Sequence, residues 1–385
     1  MKLFKIIISI FTLLLSMILP AQASNPNCTL VDGDYIVSFT QGNSVANEMR
    51  AVPGRPIQAK FTYNKILNGF AATLTAEQAC AFQRRPGATV ELDGTASTMA
   101  SRDVSTNSTA PQWGLDRIDE KSLPLNGQFN IDTSGSGTHV FIFDTGIRST
   151  HNEFRNSTSS RVSANGFSAF SDKSIEDCRG HGTHVAGTVA GLQVGVASGV
   201  NLISVRVLDC NGSGSWSGII SGLEYVSTDS RRPAIVNMSL GGKSNRTLNR
   251  AVQNFIRDTG IPVVVAAGND GRDACQFSPA SVAEAITVGA TTSTDGRASF
   301  SNFGKCVDIY APGVNIRSSA FDTDGSYVAW QGTSMATPHV AGIIARYLQV
   351  NPDAKNPQIT SDLIKAASGA TVKIACLTGT NECQP

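Results

Sequence analysis

Residues 139–146 read HVFIFDTG, and this stretch decides the fold. The run 140–143 is apolar at every position, which favours a strand buried on both faces of a parallel sheet. Asp144 follows directly, and the next two residues, Thr145 and Gly146, turn the chain. A carboxylate placed straight after a buried strand is costly unless it finds a partner there. Taken alone, Asp144 is more simply explained as a residue that closes a turn.

Similar apolar runs recur through the C-terminal part of the chain, at 201–209, 234–240, 262–267, 285–290 and 307–311. They alternate with helical stretches at 181–192, 217–228, 247–258 and 334–350. This alternation predicts an α/β fold, a doubly wound parallel sheet flanked by helices. In such sheets a site lies beyond the carboxyl ends of the strands, where Asp144 is expected.

The N-terminal part predicts export and a separate small domain. Lys2 and Lys5 precede an apolar run that ends in Ala21-Gln22-Ala23, so residues 1–23 are expected to be a cleaved signal peptide. The run is short for a membrane anchor, which is the alternative. Residues 24–105 indicate a small α+β domain, with strands at 34–40 and 89–92 and a capping box at Thr75–Gln78. The polar stretch 95–109 predicts an exposed linker, and 106–385 would be the main domain. This order suits a propeptide or an ordinary two-domain protein.

Composition excludes some classes of function. The formal net charge is +1 and no basic tract is present, so no nucleic-acid partner is expected. Hydrophobic residues make up 41% of the chain and charged residues 16%, as in a compact globular protein. After signal cleavage we expect no membrane association. The chain has eight cysteines and no C-x-x-C motif, which in an exported protein favours disulfides over metal thiolates.

Ser334 lies in GTSMATPHVAG, residues 332–342, and is either a helix N-cap or a nucleophile at the positive end of a helix dipole. A nucleophilic serine needs a base, and the chain has five histidines. His339 would lie on another side of the same helix. His181, in GHGTHVAGTVAG at 180–191, is the better candidate, with His184 structural. A metal pair of His181 and His184 is the alternative, but no H-E-x-x-H motif or nearby third ligand is present.

Asp144 would then hold the tautomer of His181, which completes the chain order Asp, His, Ser. The flanking strings DTG (144–146), HGTHVAG (181–187) and GTSMATPHVAG resemble the subtilisin-like serine proteases, most closely the proteinase K and aqualysin branch. The resemblance runs from about residue 110 to 350, and the N-terminal part is similar to the inhibitory propeptide of these enzymes. It implies a ferredoxin-like propeptide and a secreted serine endopeptidase, made as a self-processing zymogen. The chain would be cut between about Thr98 and Ser108, giving a mature form that begins near Ser105.

The resemblance also implies a set of substrate-binding positions. Asn269 matches the oxyanion asparagine of the family. Two edge strands would pair with substrate, and small residues would wall an uncharged pocket with broad apolar or aromatic preference. The edge positions are Gly212, Ser213 and Gly214 on one side and Ser239, Leu240 and Gly241 on the other, and the pocket wall is Ala266, Ala267 and Gly268. Trp216 matches a more remote subsite, with a simple core role as the alternative.

Disulfides and calcium come from the same resemblance. It implies the pairs Cys178–Cys210 and Cys275–Cys306, while Cys376 and Cys383 would close a C-terminal loop and Cys28 and Cys80 would remain to pair within the propeptide. A structural Ca²⁺ would be bound by Asp308 and the carbonyl oxygens of Ala283 and Ala285. A second family site would use Asp116 and Asp119, but Asn126 stands where relatives often have an acid.

Two other functions compete with the protease. A catalytically idle binding protein of this fold predicts the loss of a triad or oxyanion residue, and none is lost. A metal-dependent hydrolase using His181 and His184 would be abolished by chelators and indifferent to serine-directed fluorophosphonates. For the protease we expect polypeptide substrates, the chain's own propeptide as intramolecular inhibitor, and a monomeric, extracellular protein.

Overall fold

The computed structural model describes residues 28–367 except 41, 43, 53, 100, 103–111, 130–131 and 157–158, together with residues 369 and 375. At Ser101 and Arg102 it describes the backbone alone. The expected signal peptide, the second half of the expected linker, and Cys376 and Cys383 lie outside these residues.

Residues 28–92 form a small α+β domain, called the N-terminal domain below. Its elements are β1 Gly33–Phe39, α1 Val45–Arg50, β2 Phe61–Tyr63, β3 Gly69–Leu74, α2 Ala76–Gln83 and β4 Ala88–Leu92. The four strands form an antiparallel sheet in the order β2-β3-β1-β4, which is the expected ferredoxin-like arrangement. The predicted capping box is present at the start of α2, where Gln78 N donates to Thr75 Oγ1 at 3.2 Å.

The rest of the described chain contains fourteen further strands and six further α-helices. They are β5 Thr95–Thr98, β6 Ser101–Arg102, α3 Trp113–Asp119, β7 His139–Asp144, β8 Phe167–Ser168, α4 His181–Ala190, β9 Asn201–Arg206, β10 Ser213–Ser215, α5 Trp216–Thr228, β11 Ala234–Met238, β12 Leu240–Lys243, α6 Arg246–Thr259, β13 Val263–Ala266, β14 Phe277–Ser278, β15 Ile286–Thr291, β16 Ile309–Pro312, β17 Ile316–Ser319, β18 Tyr327–Gln331, α7 Thr333–Val350 and α8 Asn356–Ala366.

A seven-stranded sheet in the order β16-β15-β13-β11-β7-β9-β8 is the centre of the main domain. Every pairing in it is parallel, which confirms the predicted α/β fold. The helices cover both faces. Strand β7 belongs to two apolar clusters, because Ile142 packs on the side of α4 and α7 whereas Phe141 packs on the side of α5 and α6. A strand buried on both faces must be apolar at successive positions, which explains the run at 140–143.

The N-terminal domain packs on the outer side of α5 and α6. Ile36, Tyr63 and Ala71 from its sheet belong to the same apolar cluster as those helices. The hydroxyl of Tyr63 donates to the carbonyl oxygen of Ser217 at 3.0 Å, and the side chain of Asn254 donates to Ile66 O at 2.8 Å. The contact between the N-terminal domain and these helices therefore combines buried apolar side chains with specific hydrogen bonds.

The expectation of an exposed linker at 95–109 is wrong for the part that is described. Thr95–Thr98 forms β5, the second strand of a sheet ordered β10-β5-β12-β14, and Ser101–Arg102 forms β6 at the edge of a sheet ordered β17-β18-β6. Small polar residues predict a loop by composition. Here strands remote in sequence supply hydrogen-bond partners on both sides of β5, and composition does not reveal them.

Three of the four expected disulfides are present: Cys28–Cys80, Cys178–Cys210 and Cys275–Cys306. The first lies within the N-terminal domain and the other two within the main domain. The expected pair of Cys376 and Cys383 lies outside the described residues.

Candidate active site

Asp144 and His181 form a buried hydrogen-bonded pair. Asp144 is the last residue of β7, and His181 is the first residue of α4, with 2% of its surface exposed. Nδ1 of His181 lies 2.7 and 2.8 Å from the two carboxylate oxygens of Asp144. A carboxylate in this place keeps the proton on Nδ1 and leaves Nε2 as the basic nitrogen. Nε2 has no hydrogen-bond partner among the described residues, so it is available to accept a proton.

Glycines allow α4 to approach the turn that follows Asp144. Gly180 has a φ of 103°, in the left-handed region, and it is the N-cap of the helix. A Cβ at Gly182 would lie 2.0 Å from the carbonyl oxygen of Gly146. Any larger residue at 182 would push the helix away from the turn, and with it His181 away from Asp144.

Ser334 is the second residue of α7 and is fully buried. The N-cap of this helix is Gly332, so the structure does not support the alternative in which Ser334 is the cap. The Oγ of Ser334 donates to the carbonyl oxygen of Ser239 at 2.9 Å. To donate to Nε2 of a histidine base instead, the hydroxyl has to leave Ser239.

A backbone carbonyl from the chain itself lies between Asn269, the expected oxyanion residue, and the backbone N of Ser334. Met99 O accepts from Nδ2 of Asn269 at 2.6 Å and from the backbone N of Ser334 at 3.2 Å. Met99 follows β5 directly. The carbonyl group of Met99 is thus held beside the backbone N–H of Ser334, the expected nucleophile.

Thr333 orients Asn269, a role that the sequence reasoning missed. Its backbone N and its Oγ1 both donate to Oδ1 of Asn269 at 2.9 Å. Since that oxygen accepts both bonds, Nδ2 is turned towards Met99 O. The signal available in the sequence was only that Thr333 precedes Ser334.

Strand β5 occupies the groove between the two predicted edge segments. Ser97 pairs with Ser213 on one side and with Gly241 on the other. Thr98 N donates to Gly212 O at 3.0 Å, which extends the first ladder by one residue. Both ladders are antiparallel, so an extended peptide is hydrogen-bonded along both of its edges. The other predicted edge residues lie beside these, Gly214 opposite Ala96, Leu240 opposite Thr98, and Ser239 at the end of the second edge.

Trp216 packs near the same strand, and the predicted pocket wall leads to Asn269. Trp216 is the first residue of α5, is 2% exposed, and shares an apolar cluster with Ala96. Ala266 ends β13, and Ala267 and Gly268 continue towards Asn269. A Cβ at Gly241 would lie 3.0 Å from the Cε of Met99, so the methionine side chain packs against that glycine.

Three carboxylates at the boundary with the N-terminal domain were not found by sequence reasoning. Glu91 accepts from the backbone N of Arg246 and Thr247, at 3.0 and 2.8 Å, at the start of α6. Asp93 accepts from Ser217 N at 3.0 Å, at the start of α5. In the reverse direction, Glu224 of α5 accepts from three backbone N–H groups of residues 64–66. Carboxylates at helix N-termini are favourable because they meet unpaired N–H groups and the positive end of the dipole.

The expected calcium position contains one buried carboxylate. Oδ2 of Asp308 accepts from Thr287 N at 2.8 Å, and burial raises the pKa of the Asp308 carboxyl above its usual value. A cation would compensate for this burial. Among the described residues there is no group of three or more His, Cys, Asp and Glu that could hold a metal. A site at Asp308 would therefore depend on carbonyl oxygens, for which Ala283 and Ala285 are the expected donors.

At the second family position, Oδ1 of Asp116 is buried without a hydrogen-bond partner, while Oδ2 accepts from Gly127 N at 2.9 Å. Asn126, at the position where relatives often have an acidic residue, donates to the carboxylate of Glu120. A cation at this position would satisfy the unpaired oxygen of Asp116.

His184 and His339 are fully buried and lie outside the Asp144–His181 pair. Burial, reinforced by His181, lowers the pKa of His184 to about 3, and burial lowers the pKa of His339 to about 4. Both are therefore neutral at neutral pH. His184 Nε2 donates to Ile316 O at 3.0 Å and His339 Nδ1 donates to Met335 O at 2.8 Å, which are structural contacts.

Comparison with known proteins gives one consistent result. The model of the peptidase S8 subtilase family matches residues 135–380. The extracellular serine proteinase of Thermus sp. strain Rt41A is 47% identical over 315 residues, 81% of this chain and 74% of that protein. The alkaline serine exoprotease A of Vibrio alginolyticus is 43% identical, over 82% of this chain and 58% of that protein.

Among solved structures, a cold-adapted subtilisin-like serine proteinase matches with a TM-score of 0.65 at 45% identity. The match covers 70% of this chain and 98% of the other. In the described part of the chain, none of the helices combines the length and hydropathy of a membrane span.

Proposed function

This chain belongs to the subtilase family and is an extracellular serine endopeptidase, and from that premise we propose that Asp144, His181 and Ser334 are its catalytic triad. Ser334 Oγ attacks a peptide carbonyl carbon while Nε2 of His181 takes the hydroxyl proton. His181 then gives that proton to the leaving amine, and an acyl-enzyme on Ser334 remains. Water, deprotonated by the same nitrogen, releases the acid. Asp144 stays ionised throughout and stabilises the imidazolium.

The tetrahedral oxyanion would be bound by Asn269 Nδ2 and Ser334 N. The observation that carries the proposal is that these two groups already hold the carbonyl oxygen of Met99, at 2.6 and 3.2 Å. Preoriented donors stabilise the developing charge without reorganisation during the reaction. Thr333 supports them because it fixes the amide of Asn269.

We propose broad specificity for apolar or aromatic residues before the scissile bond. Backbone pairing on both sides of the groove binds any extended peptide, since it uses no side-chain atoms of the substrate. The pocket predicted from Ala266, Ala267 and Gly268 is uncharged, and the methionine that precedes the proposed cut is apolar.

The enzyme would be made as a zymogen that cuts itself between Met99 and Ala100. The carbonyl position supports this bond rather than one near Ser105, where the sequence analysis expected the mature chain to begin. Residues 24–99 would then be the inhibitory propeptide. After the cut, β5 would keep its two ladders and continue to block the groove. Glu91, Asp93 and Glu224 would hold the N-terminal domain on α5 and α6 until it is degraded.

We also propose a structural Ca²⁺ at Asp308 with the carbonyl oxygens of Ala283 and Ala285. When bound, the ion supplies positive charge to a carboxylate that burial makes costly to ionise. The unpaired Oδ1 of Asp116 supports a second cation there. Neither position takes part in the proposed chemistry. The protein would act as a monomer on polypeptides.

The test is the N-terminal sequence of the secreted protein. Wild type should yield a mature form beginning at Ala100, before any further trimming, while Ser334→Ala should keep residues 24–385 in one chain. Both are expressed in a host without related proteases. Met99→Asp, which places a charge in the uncharged pocket, should slow the first cut, and Met99→Leu should not.

If Ser334→Ala is still cut after Met99 under these conditions, another protease does the processing and the self-cleavage proposal fails. If the purified Ser334→Ala protein hydrolyses peptides at the wild-type rate, the triad assignment itself fails. An idle binding protein of this fold is not favoured, because every triad and oxyanion residue is present.

A further inference from the structure

Trp330 is a buried residue that the proposed mechanism does not use. It is 5% exposed and lies on β18, three residues before the start of α7. Its ring system stacks on His184, with ring centroids 4.8 Å apart and planes 7° apart. It also faces His181, at 6.1 Å and 21°. His181 and His184 are about one turn apart on α4, so a single indole lies against both imidazoles.

The surrounding strands hold this indole in place. His184 Nε2 donates to the carbonyl oxygen of Ile316 at 3.0 Å. Ile316 lies directly opposite Trp330 in the antiparallel ladder of β17 and β18. The helix that carries His181 is therefore connected to the strand that carries Trp330 both by ring stacking and, through Ile316, by hydrogen bonds. A side chain supported in this way keeps one orientation.

The stack suits a histidine that becomes positively charged. The face of an indole attracts a cation within about 6 Å, most strongly when water is excluded. Both His181 and Trp330 are buried here. His184 does not compete for this face, since the low pKa of its ring, about 3, keeps it neutral.

Other charged groups near α4 have separate partners. The elements that pack on α4 are β7, β9, β17, α7 and the 3₁₀ turn Asn152–Phe154. Their titratable or charged groups are His139, Asp144, Glu153, Arg206, Arg317, His339, Arg346 and Tyr347, with His184 on α4 itself. Arg346 donates to Val196 O, the Tyr347 hydroxyl donates to Asp362, and His139 lies at the opposite end of β7 from Asp144. Asp144 is hydrogen-bonded to His181. Arg206 pairs with Asp172, Arg317 lies over the ring of Tyr327, Glu153 accepts from the Tyr327 hydroxyl, and His339 is neutral.

We propose that Trp330 is a positioning residue for His181. Its indole sets the plane of the imidazole from the side that Asp144 does not control, and it stabilises the imidazolium formed at each proton transfer. This inference rests on the proposed role of His181 as the base.

The alternative role of Trp330 is to hold the chain beyond the scissile bond, and the experiment has to distinguish this role from the positioning of His181. Its backbone pairs with Arg102 and that of Gln331 with Ser101, so β18 also holds the chain beyond the proposed cut. A contact of that kind would matter only for substrates that extend past the scissile bond. Stabilisation of His181 matters for every substrate, because His181 acts on all of them.

The experiment compares Trp330→Leu and Trp330→Phe in the mature enzyme. The substrates are a peptide p-nitroanilide and a peptide that extends three residues past the scissile bond. Trp330→Leu should lower kcat about 3- to 30-fold on both substrates, with little change in KM, because a desolvated cation–π contact is lost. The acid limb of kcat/KM should move to lower pH, since the protonated imidazole loses stabilisation. Trp330→Phe keeps an aromatic face and should retain kcat within about 3-fold of wild type.

Trp113→Leu is the matched control. Trp113 packs on the same apolar cluster as Trp330, and its indole N–H donates to Val314 O at 3.0 Å. Its loss should lower the midpoint of thermal unfolding without moving the acid limb. If the leucine variant at 330 is too unstable to assay, Trp330→Met tests the same loss of the aromatic face.

The proposal is overturned if Trp330→Leu leaves kcat on the p-nitroanilide and the acid limb unchanged, or if only the extended peptide is affected. It is also overturned if Trp330→Phe is as impaired as Trp330→Leu. These outcomes are distinct from failure of the proposed function, which appears as full activity in Ser334→Ala.

Discussion

Asp144 and His181 are far apart in the chain and meet because Asp144 ends a strand and His181 begins a helix at one edge of the sheet. Their pairing could be predicted from the sequence because a basic histidine needs a carboxylate partner and both residues lie next to turns. The roles of Ser334 and Asn269 remain proposals. Thr333 and Met99 could not be assigned their contacts, because Thr333 acts through the side chain of Asn269 and Met99 acts through a backbone carbonyl, which every residue has.

The buried histidines predict a loss of stability in acid. The pKa values of His184 and His339 lie at about 3 and about 4 when the chain is folded, below the value of about 6.5 expected when it is unfolded. Their contribution to the free energy of unfolding is complete above pH 6.5 and is lost as the pH falls towards these lower pKa values. Each histidine should lower the free energy of unfolding by about 1.4 kcal/mol per pH unit across that window.

Thermal unfolding of the Ser334→Ala protein between pH 7.5 and 4.5 measures this effect without autolysis. Ser334→Ala/His339→Gln should show a shallower dependence on pH, because one of the two proton-binding groups is absent. Equal slopes in the two proteins would contradict the assignment of His339 as a neutral buried group.

At the scale of elements, the sequence predicted the buried strands of the large sheet well and the short ones poorly. β7 and β13 contain runs of apolar residues at successive positions, as does the start of β11, and that composition is a local property. β5, β10 and β12 contain mostly small or polar residues, and each is a strand only because the others lie beside it. The misreading of 95–98 as a linker has this cause.

The contact of Glu91 with α6 predicts how firmly the N-terminal domain is held. Glu91→Gln keeps the shape of the side chain and removes the charge that meets the helix N-terminus. We expect the affinity of the cut N-terminal domain for the enzyme to fall about 10-fold, since a charged hydrogen bond at a helix end contributes roughly 1–2 kcal/mol.

The lag before peptidase activity appears in the purified cut complex is the measurement. It should shorten in Glu91→Gln. Glu77→Gln is the control, because Glu77 is exposed in the first turn of α2 within the N-terminal domain. An unchanged lag in Glu91→Gln would mean that apolar burial alone retains the domain.

For the whole molecule, the predicted α/β class and the small α+β domain are both observed. Strand order is not a local property, because it depends on which apolar faces pack together across long stretches of chain. The order β16-β15-β13-β11-β7-β9-β8 could therefore not be predicted from any single segment. The packing of the N-terminal sheet on α5 and α6 is equally non-local.

Calcium removal is a prediction at this scale, because an ion bound only by the folded state stabilises all of it. The midpoint of thermal inactivation should be several degrees higher in millimolar Ca²⁺ than in chelator. Asp308→Asn should reduce the difference, while Asp322→Asn, in an exposed loop, should leave it unchanged. Identical inactivation of wild type in both conditions would exclude a stabilising site.

The position of Thr95–Thr98 between β10 and β12 also sets the reaction order of activation. Because this strand and Ser334 belong to one chain, the proposed first cut is unimolecular, and its half-time is independent of protein concentration. In the proposed zymogen, the N-terminal domain would be destroyed by a molecule that is already free, so this second step would be bimolecular and would accelerate as its product accumulates. In a dilute sample the chain would be cut but would remain inhibited. In a concentrated sample peptidase activity would appear after a lag and then rise quickly. The time at which activity appears would therefore depend on the concentration of the protein and would not be fixed within each molecule.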